Sequence, residues 1–277
     1  MRRVVPWLSG HYPDYMSRWA LRQFTTPPKP QETATQRQWR AKAEVIPLWH
    51  EQSRWLNTPQ RGGQLLRWGQ GERKILLVHG WGGWATQFAA WLPPLLASGC
   101  QVLALDMPGH GEAPKRQVTL FDFMAALRLV ERLIGPVDAA SGHSLGASAL
   151  TLTAAEGWSA GRLVMLAAAE NIETAPRQFA RMVALPDNIR LNMQEAMAQR
   201  HGVSWQELDG RLIAHNARYP ALVIHDRQDK EIPYEQGVQL AARWPGAQLV
   251  TTEGLGHRRI LQDKGVMQQA IDFMLLD

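Results

Sequence analysis

The reading of the fold turns on one stretch, Val137-Asp138-Ala139-Ala140-Ser141-Gly142-His143-Ser144-Leu145-Gly146-Ala147-Ser148-Ala149-Leu150. Its first four residues form a short apolar run that reads as a strand. Residues 147–155 are apolar nearly all round, which predicts a buried helix. Between them lies Gly142-His143-Ser144-Leu145-Gly146, the Gly-x-Ser-x-Gly pattern of a sharp strand-to-helix turn with an exposed serine hydroxyl. The serine of such a turn is held in a strained backbone conformation. Its neighbours two residues away must therefore lack side chains to avoid collision, and both are glycine. The following helix points its amino end at the serine, where the positive end of its dipole favours developing negative charge. Ser144 is the candidate nucleophile.

Working outward, further short apolar runs predict strands at 74–78, 101–105, 162–166, 221–225 and 248–252. The stretch 119–134 reads as a helix capped by Thr119, with Asp122 three residues on and a stop at Gly135-Pro136. A helical stretch over 84–97 carries Pro93 and Pro94, which should bend or break it. Residues 258–276 read as a closing helix. Regular alternation of strand and helix implies an α/β class fold: a mostly parallel central sheet with helices on both faces. In such sheets ligands bind at the carboxyl ends of the strands, so chemistry is to be sought just after each strand. The alternation breaks over 169–216, where three helical pieces are expected: 174–185, 188–201 ending at Gly202, and 204–213 opened by a Ser204/Glu207 capping box. These read as a small helical lid. The expected organisation is a basic leader (1–60) packed on the body, a core (61–168 and 217–277) and the lid insertion (169–216).

A serine hydroxyl is a weak nucleophile and needs a base. Of nine histidines, His257 lies in the loop Gly254-Leu255-Gly256-His257, just after the last strand and at the same sheet end as Ser144. His143 sits inside the turn and should point away from the serine; His79 and His225 end strands and should brace loops. The base in turn needs a carboxylate to hold its tautomer. Asp226 and Asp229 compete after the penultimate strand. Asp229 is favoured because it lies beyond the strand end, whereas Asp226 should finish the strand; Glu170 is a third candidate. The order Ser144, Asp229, His257 matches one known order of such triads. An oxyanion needs N–H donors, for which the backbone of Leu145 and of Trp81 are the candidates. Trp81 lies in His79-Gly80-Trp81-Gly82-Gly83, where flanking glycines allow close backbone approach.

These segments, together with Asp106-Met107-Pro108-Gly109-His110-Gly111 and Asp229 to Pro233, resemble the α/β-hydrolase family, in particular its lysophospholipase, monoacylglycerol lipase and C–C hydrolase-like group. The resemblance covers roughly residues 65–274. It implies the α/β-hydrolase fold and a serine hydrolase that cleaves a carboxylic ester, a thioester or lipid ester included, through an acyl-serine, with no cofactor and no metal. Family members that are dehalogenases or epoxide hydrolases place aspartate at the turn, and dienelactone hydrolase-like ones cysteine; Ser144 argues against both. The resemblance also implies that the 106–111 segment is a structural loop near the site, with no catalytic part for His110. Acyl transfer to an alcohol or thiol, or cleavage of a C–C bond, would use the same three residues. A non-enzymatic binding protein of this fold would ordinarily have lost one of them.

Composition narrows the partners. The chain has 277 residues, is 45% hydrophobic and 20% charged, and carries a formal charge of +5. Residues 1–61 hold ten basic and four acidic residues, so the basicity belongs to the leader and not to the body. That argues against a nucleic-acid groove across the whole protein. The single cysteine, Cys100, forbids an intrachain disulfide and fits a reducing cytosol. The amino terminus shows no apolar run of signal-peptide or membrane-spanning length. The partner that the resemblance implies is a small-molecule acyl ester. In the leader, Tyr15, Met16, Trp19, Ala20 and Phe24 recur at helical spacing among Arg18 and Arg22. Such a stripe packs on its own domain or makes a weak contact with an anionic membrane surface. In the lid, Ile189, Met193 and Met197 share one helix face. With Met182 and Trp81 they are the expected lining of an acyl pocket, since methionine adapts to flexible apolar ligands; plain packing of lid on body is the alternative.

Overall fold

The computed structural model describes residues 4–50, 60–202, 204–205 and 218–276. Among them, eight strands form one sheet in the order β1-β2-β4-β3-β5-β6-β7-β8. The strands are β1 (Glu44–His50), β2 (Gln60–Trp68), β3 (Lys74–Val78), β4 (Gln101–Asp106), β5 (Val137–His143), β6 (Ala160–Leu166), β7 (Ala221–Asp226) and β8 (Gln248–Thr252). β1 and β2 are antiparallel additions at one edge, and the rest run parallel.

The continuous apolar runs of the central strands make sense because both sheet faces are covered. Along β3, Leu76 and Val78 face one core and Ile75 and Leu77 the other. The first core is closed by α5 (Leu120–Ile134), α6 (Leu145–Ala155) and Leu240 and Trp244 at α9 (Tyr234–Arg243). The second is closed by a 3-10 segment (Ala85–Trp91), α4 (Leu92–Ala97) and α11 (Lys264–Leu275). Pro93 and Pro94 sit in the first turn of α4, where a missing N–H costs nothing, so the expected 84–97 helix starts afresh there. The closing helix is likewise two pieces: a short α10 (Gly256–Arg259), then α11 capped by Asp263, whose side chain accepts from Val266 N–H.

The leader departs from expectation in one respect. Residues 1–60 contribute β1 to the sheet, so the boundary placed at residue 60 falls inside the first hairpin of the fold. Pro47 lies in β1 and Gly63 (φ +106°) in β2, residues that disguise strands in a sequence. A proline is tolerated on an edge strand, where one side of the ladder needs no donor. Before β1 come α1 (Val4–His11), α2 (Pro13–Thr25) and α3 (Ala34–Ala41).

Between β6 and β7 the structure has α7 (Thr174–Val183) and α8 (Asp187–His201), the latter ended by Gly202 in the left-handed region. The third expected piece, with its Glu207 cap partner, lies outside the described residues apart from 204–205. A separate apolar cluster joins Val5, Met16 and Ala20 of the leader to Ala180, Leu185, Ile189 and Met193. Met16 and Ala20 of the leader stripe are thus directed at α8, while Tyr15 is exposed. Among the described residues no helix is long and apolar enough to cross a membrane.

Candidate active site

Ser144 follows β5 and has φ 53° and ψ −122°, a conformation non-glycine residues rarely hold. Such strain costs on the order of 1–3 kcal/mol and persists only where surrounding structure over-determines it. Here the Ser144 N–H donates to Leu166 O (2.9 Å), and Ser144 O accepts from Ser148 N–H (3.0 Å) to begin α6. The flanking glycines are sterically required. A Cβ on Gly142 would lie 2.7 Å from the Ala147 backbone, and one on Gly146 would lie 2.4 Å from His79 O.

His257 occupies the first turn of α10. Its Nδ1 lies 2.7 Å from Oδ2 of Asp229, so Nε2 is the nitrogen left for other work. The other oxygen of Asp229 accepts from the N–H groups of Glu231 and Ile232, both at 2.8 Å. Burial alone would raise the Asp229 carboxyl, but hydrogen bonds from His225 and His257 and the adjacent N–H donors hold it well below the usual carboxylate range. Asp226 finishes β7, and its oxygens accept from Gln228 N–H, Thr252 Oγ1 and Leu255 N–H. It fixes the loops that carry Asp229 and His257 without facing the imidazole. Glu170 is buried in an ion pair with Arg243.

His143 and His79 brace loops. Nε2 of His143 bonds the backbone oxygen of His257 at 2.8 Å, and burial pulls this imidazole down to about 3. His79 bonds Gly80 O through Nδ1 (2.7 Å) and accepts from Met107 N–H through Nε2 (3.1 Å). It thereby ties the 80–83 loop to the 106–111 loop. In the first loop a Cβ on Gly80 would come within 2.9 Å of Ser144 Cβ, so the backbone leading into Trp81 passes directly beside the serine. Leu145 opens α6, and amides in a first turn project from the helix end without an internal partner.

Ser144, Leu145, Trp81 and His257 all line one cavity of about 300 Å³. Its walls are mainly apolar, with Leu120 and Phe121 from the start of α5 and Phe179 and Met182 from α7. Met197 also reaches it. Ile189 and Met193 do not: both are fully buried against Met16 and Ala20, because the face they share is the one α2 covers. Sequence reasoning missed Gln23 and Phe24, which enter the wall from the leader. Phe24 ends the apolar stripe of α2, and that stripe was the available signal. Glu231 was also missed. It lies on the cavity, held by Arg258 Nε at 2.8 Å, with Oε2 3.9 Å from His257 Nε2.

Residues 75–269 match the Alpha/beta hydrolase family. Among curated relatives, the dihydrolipoyllysine-residue acetyltransferase component of the acetoin cleaving system of Pseudomonas putida is 29% identical, covering 77% of this chain and 67% of that protein. A pimeloyl-[acyl-carrier protein] methyl ester esterase of Neisseria meningitidis serogroup C is 28% identical, covering 68% of this chain and 88% of that one. Similar solved structures include the Pyrococcus furiosus esterase PF2001 (TM-score 0.65, 16% identity, 90% of this chain and 97% of that one). A Bacillus anthracis bromoperoxidase gives a TM-score of 0.63 at 15% identity over 84% of this chain and 100% of that one. At these identities the structural likeness is one of fold. The narrower lysophospholipase and monoacylglycerol lipase-like group is not what these relatives are named for. Together with the sheet order and the turn at Ser144, the match over 75–269 makes this chain a member of the alpha/beta hydrolase family.

Proposed function

We propose that this protein hydrolyses a carboxylic ester through an acyl-serine intermediate, with Ser144 as nucleophile, His257 as base and Asp229 as its partner. The observation that carries the reading is the 2.7 Å contact between His257 Nδ1 and Asp229 Oδ2, on an imidazole that shares one cavity with the strained Ser144. The carboxylate holds the Nδ1–H tautomer, so Nε2 can take the serine proton as Oγ attacks the carbonyl carbon. The N–H groups of Leu145 and Trp81 receive the oxyanion of the tetrahedral intermediate. The imidazolium then protonates the leaving alkoxide. Water, deprotonated by the same Nε2, attacks the acyl-serine, and Ser144 recovers its proton as the acid leaves.

The mainly apolar walls favour a small acyl ester, and relatives named as esterases support the reaction class. In this reading residues 169–216 act as the lid over the strand ends. Labelling with a fluorophosphonate, followed by turnover of a p-nitrophenyl ester and thioester panel, tests the proposal. Wild type is expected to label and Ser144→Ala not to; labelling that survives the substitution overturns the assignment. Running the panel with added alcohol and thiol acceptors separates hydrolysis from acyl transfer.

A further inference from the structure

The amino-terminal leader lies before the stretch that matches the family, yet it reaches the cavity. Phe24, in the last turn of α2, lines the space that holds Ser144 and His257, and its ring meets that of Phe179 from α7 at 5.3 Å and 59°. Gln23 lines the same wall. The position of this wall is fixed from several sides. Upstream, Met16 and Ala20 are buried against Ile189 and Met193. Immediately downstream, Thr25 O accepts from Val118 N–H at 2.7 Å, and Lys29 Nζ donates to Ala113 O. Pro28 Cγ lies 2.8 Å from where a side chain on Gly82 would begin, so the leader rests on the loop that carries Trp81. Farther on, Arg40 Nη1 bonds Asp106 Oδ2 at 2.8 Å and Arg40 Nε bonds Glu32 at 2.9 Å. A wall held at so many points behaves as part of the pocket and not as a loose cover.

We propose that the leader is the specificity-determining wall of the acyl pocket, and that Phe24, tilted against Phe179, sets the length of apolar acyl chain the cavity accepts. This rests on the ester-hydrolase reading for the reaction, but its binding consequence does not. The cavity, about 300 Å³, is at the small end of ligand pockets. An aromatic ring at its wall therefore takes up space that a longer chain would need. The ligand class is an apolar acyl chain of short to medium length. A long chain is refused by the bulk of the ring pair, since Phe24 and Phe179 present only carbon to it.

The test compares wild type with Phe24→Ala, Phe24→Leu and Phe24→Trp. One readout is kcat/KM for p-nitrophenyl butanoate, octanoate and dodecanoate. The other is calorimetric Kd for butanoic, octanoic and dodecanoic acids, which needs no turnover. Opening the wall is expected to raise the dodecanoyl-to-butanoyl ratio by about tenfold in Phe24→Ala, with Phe24→Leu between, and filling it in Phe24→Trp to lower the ratio, in keeping with the worth of a methylene or two in an apolar pocket. Phe24→Leu and Phe24→Trp keep the test decisive if the alanine variant loses structure, which circular dichroism reports. Wild-type ratios in both readouts for folded variants overturn the proposal. Shifted Kd ratios in a protein that neither labels with fluorophosphonate nor turns over esters sustain the wall and reject the hydrolase reading.

Discussion

At the residue scale the site depends on atoms that are absent as much as on those present. The glycines beside Ser144 let a strained turn stand between β5 and α6, and a methyl at Gly146 would run into the carbonyl oxygens of both His79 and Val78. Gly146→Ala is therefore expected to lose about 1–3 kcal/mol of stability through overpacking. It should also slow fluorophosphonate labelling, since relief of the clash must move the backbone that presents the hydroxyl. Urea denaturation and labelling rates check the two effects separately. Asp229→Asn removes the charge that faces His257 Nδ1 while keeping the shape, and kcat is expected to fall by about 10³–10⁴ with little change in KM. A loss confined to KM would place Asp229 in substrate binding instead.

At the scale of elements, the most consequential contact is between α3 and the end of β4. Asp106 is fully buried and accepts from Arg40, Gln64 and the N–H groups of Ala85 and Glu112. Burial alone would raise its carboxyl, but the Arg40 guanidinium and these donors hold it below the usual carboxylate range. The same guanidinium bonds Glu32, which also receives Thr86 Oγ1. One arginine from the leader thus joins α3, the 106–112 loop and the start of the 3-10 segment. Removing one member of a buried ion pair leaves the other uncompensated, at a cost of about 3–5 kcal/mol. Arg40→Ala is expected to approach that figure in urea denaturation, with Glu32→Ala costing less because Asp106 keeps its partner. Equal and small losses would show that the leader docks through its apolar cluster alone.

Across the whole molecule, His79, His110 and His143 are buried, and burial, the largest cause for each, holds them down to about 4, about 3 and about 3. An unfolded chain protonates histidine near pH ~6.5. Between that pH and the folded values the unfolded state binds more protons, so stability falls as pH falls through this window. Each histidine contributes a slope of up to about 1.4 kcal/mol per pH unit. Above about pH 6.5 both states are neutral at these sites and the slope vanishes. The depressed carboxylates Asp106 and Asp229 add a further loss only below about pH 4, where their unfolded counterparts take up protons. Urea midpoints should therefore be level in mildly alkaline buffer and drop steadily from about pH 6.5 downward. A midpoint unchanged down to about pH 5 would mean these rings can be protonated within the fold.

What was legible in the sequence follows from how local each signal is. The parallel strands show because a strand buried on both faces must be apolar throughout, and the turn at Ser144 shows because its steric demand spans five consecutive residues. The pairing of Asp229 with His257 is expected from loop position, since Asp226 ends β7 and Asp229 lies three residues on, and the hydrogen bonds separate the two: Asp229 meets His257 Nδ1, while Asp226 accepts from Thr252 Oγ1. β1 was hidden by Pro47, a residue that only its place at the sheet edge makes acceptable. Whether Ile189, Met193 and Met197 face ligand or protein is not a property of their four-residue spacing. Helical periodicity fixes which residues share a face, but what covers that face depends on chain that is distant in sequence. Here α2 arrives from the amino terminus, buries two of the three, and leaves Phe24 at the cavity wall.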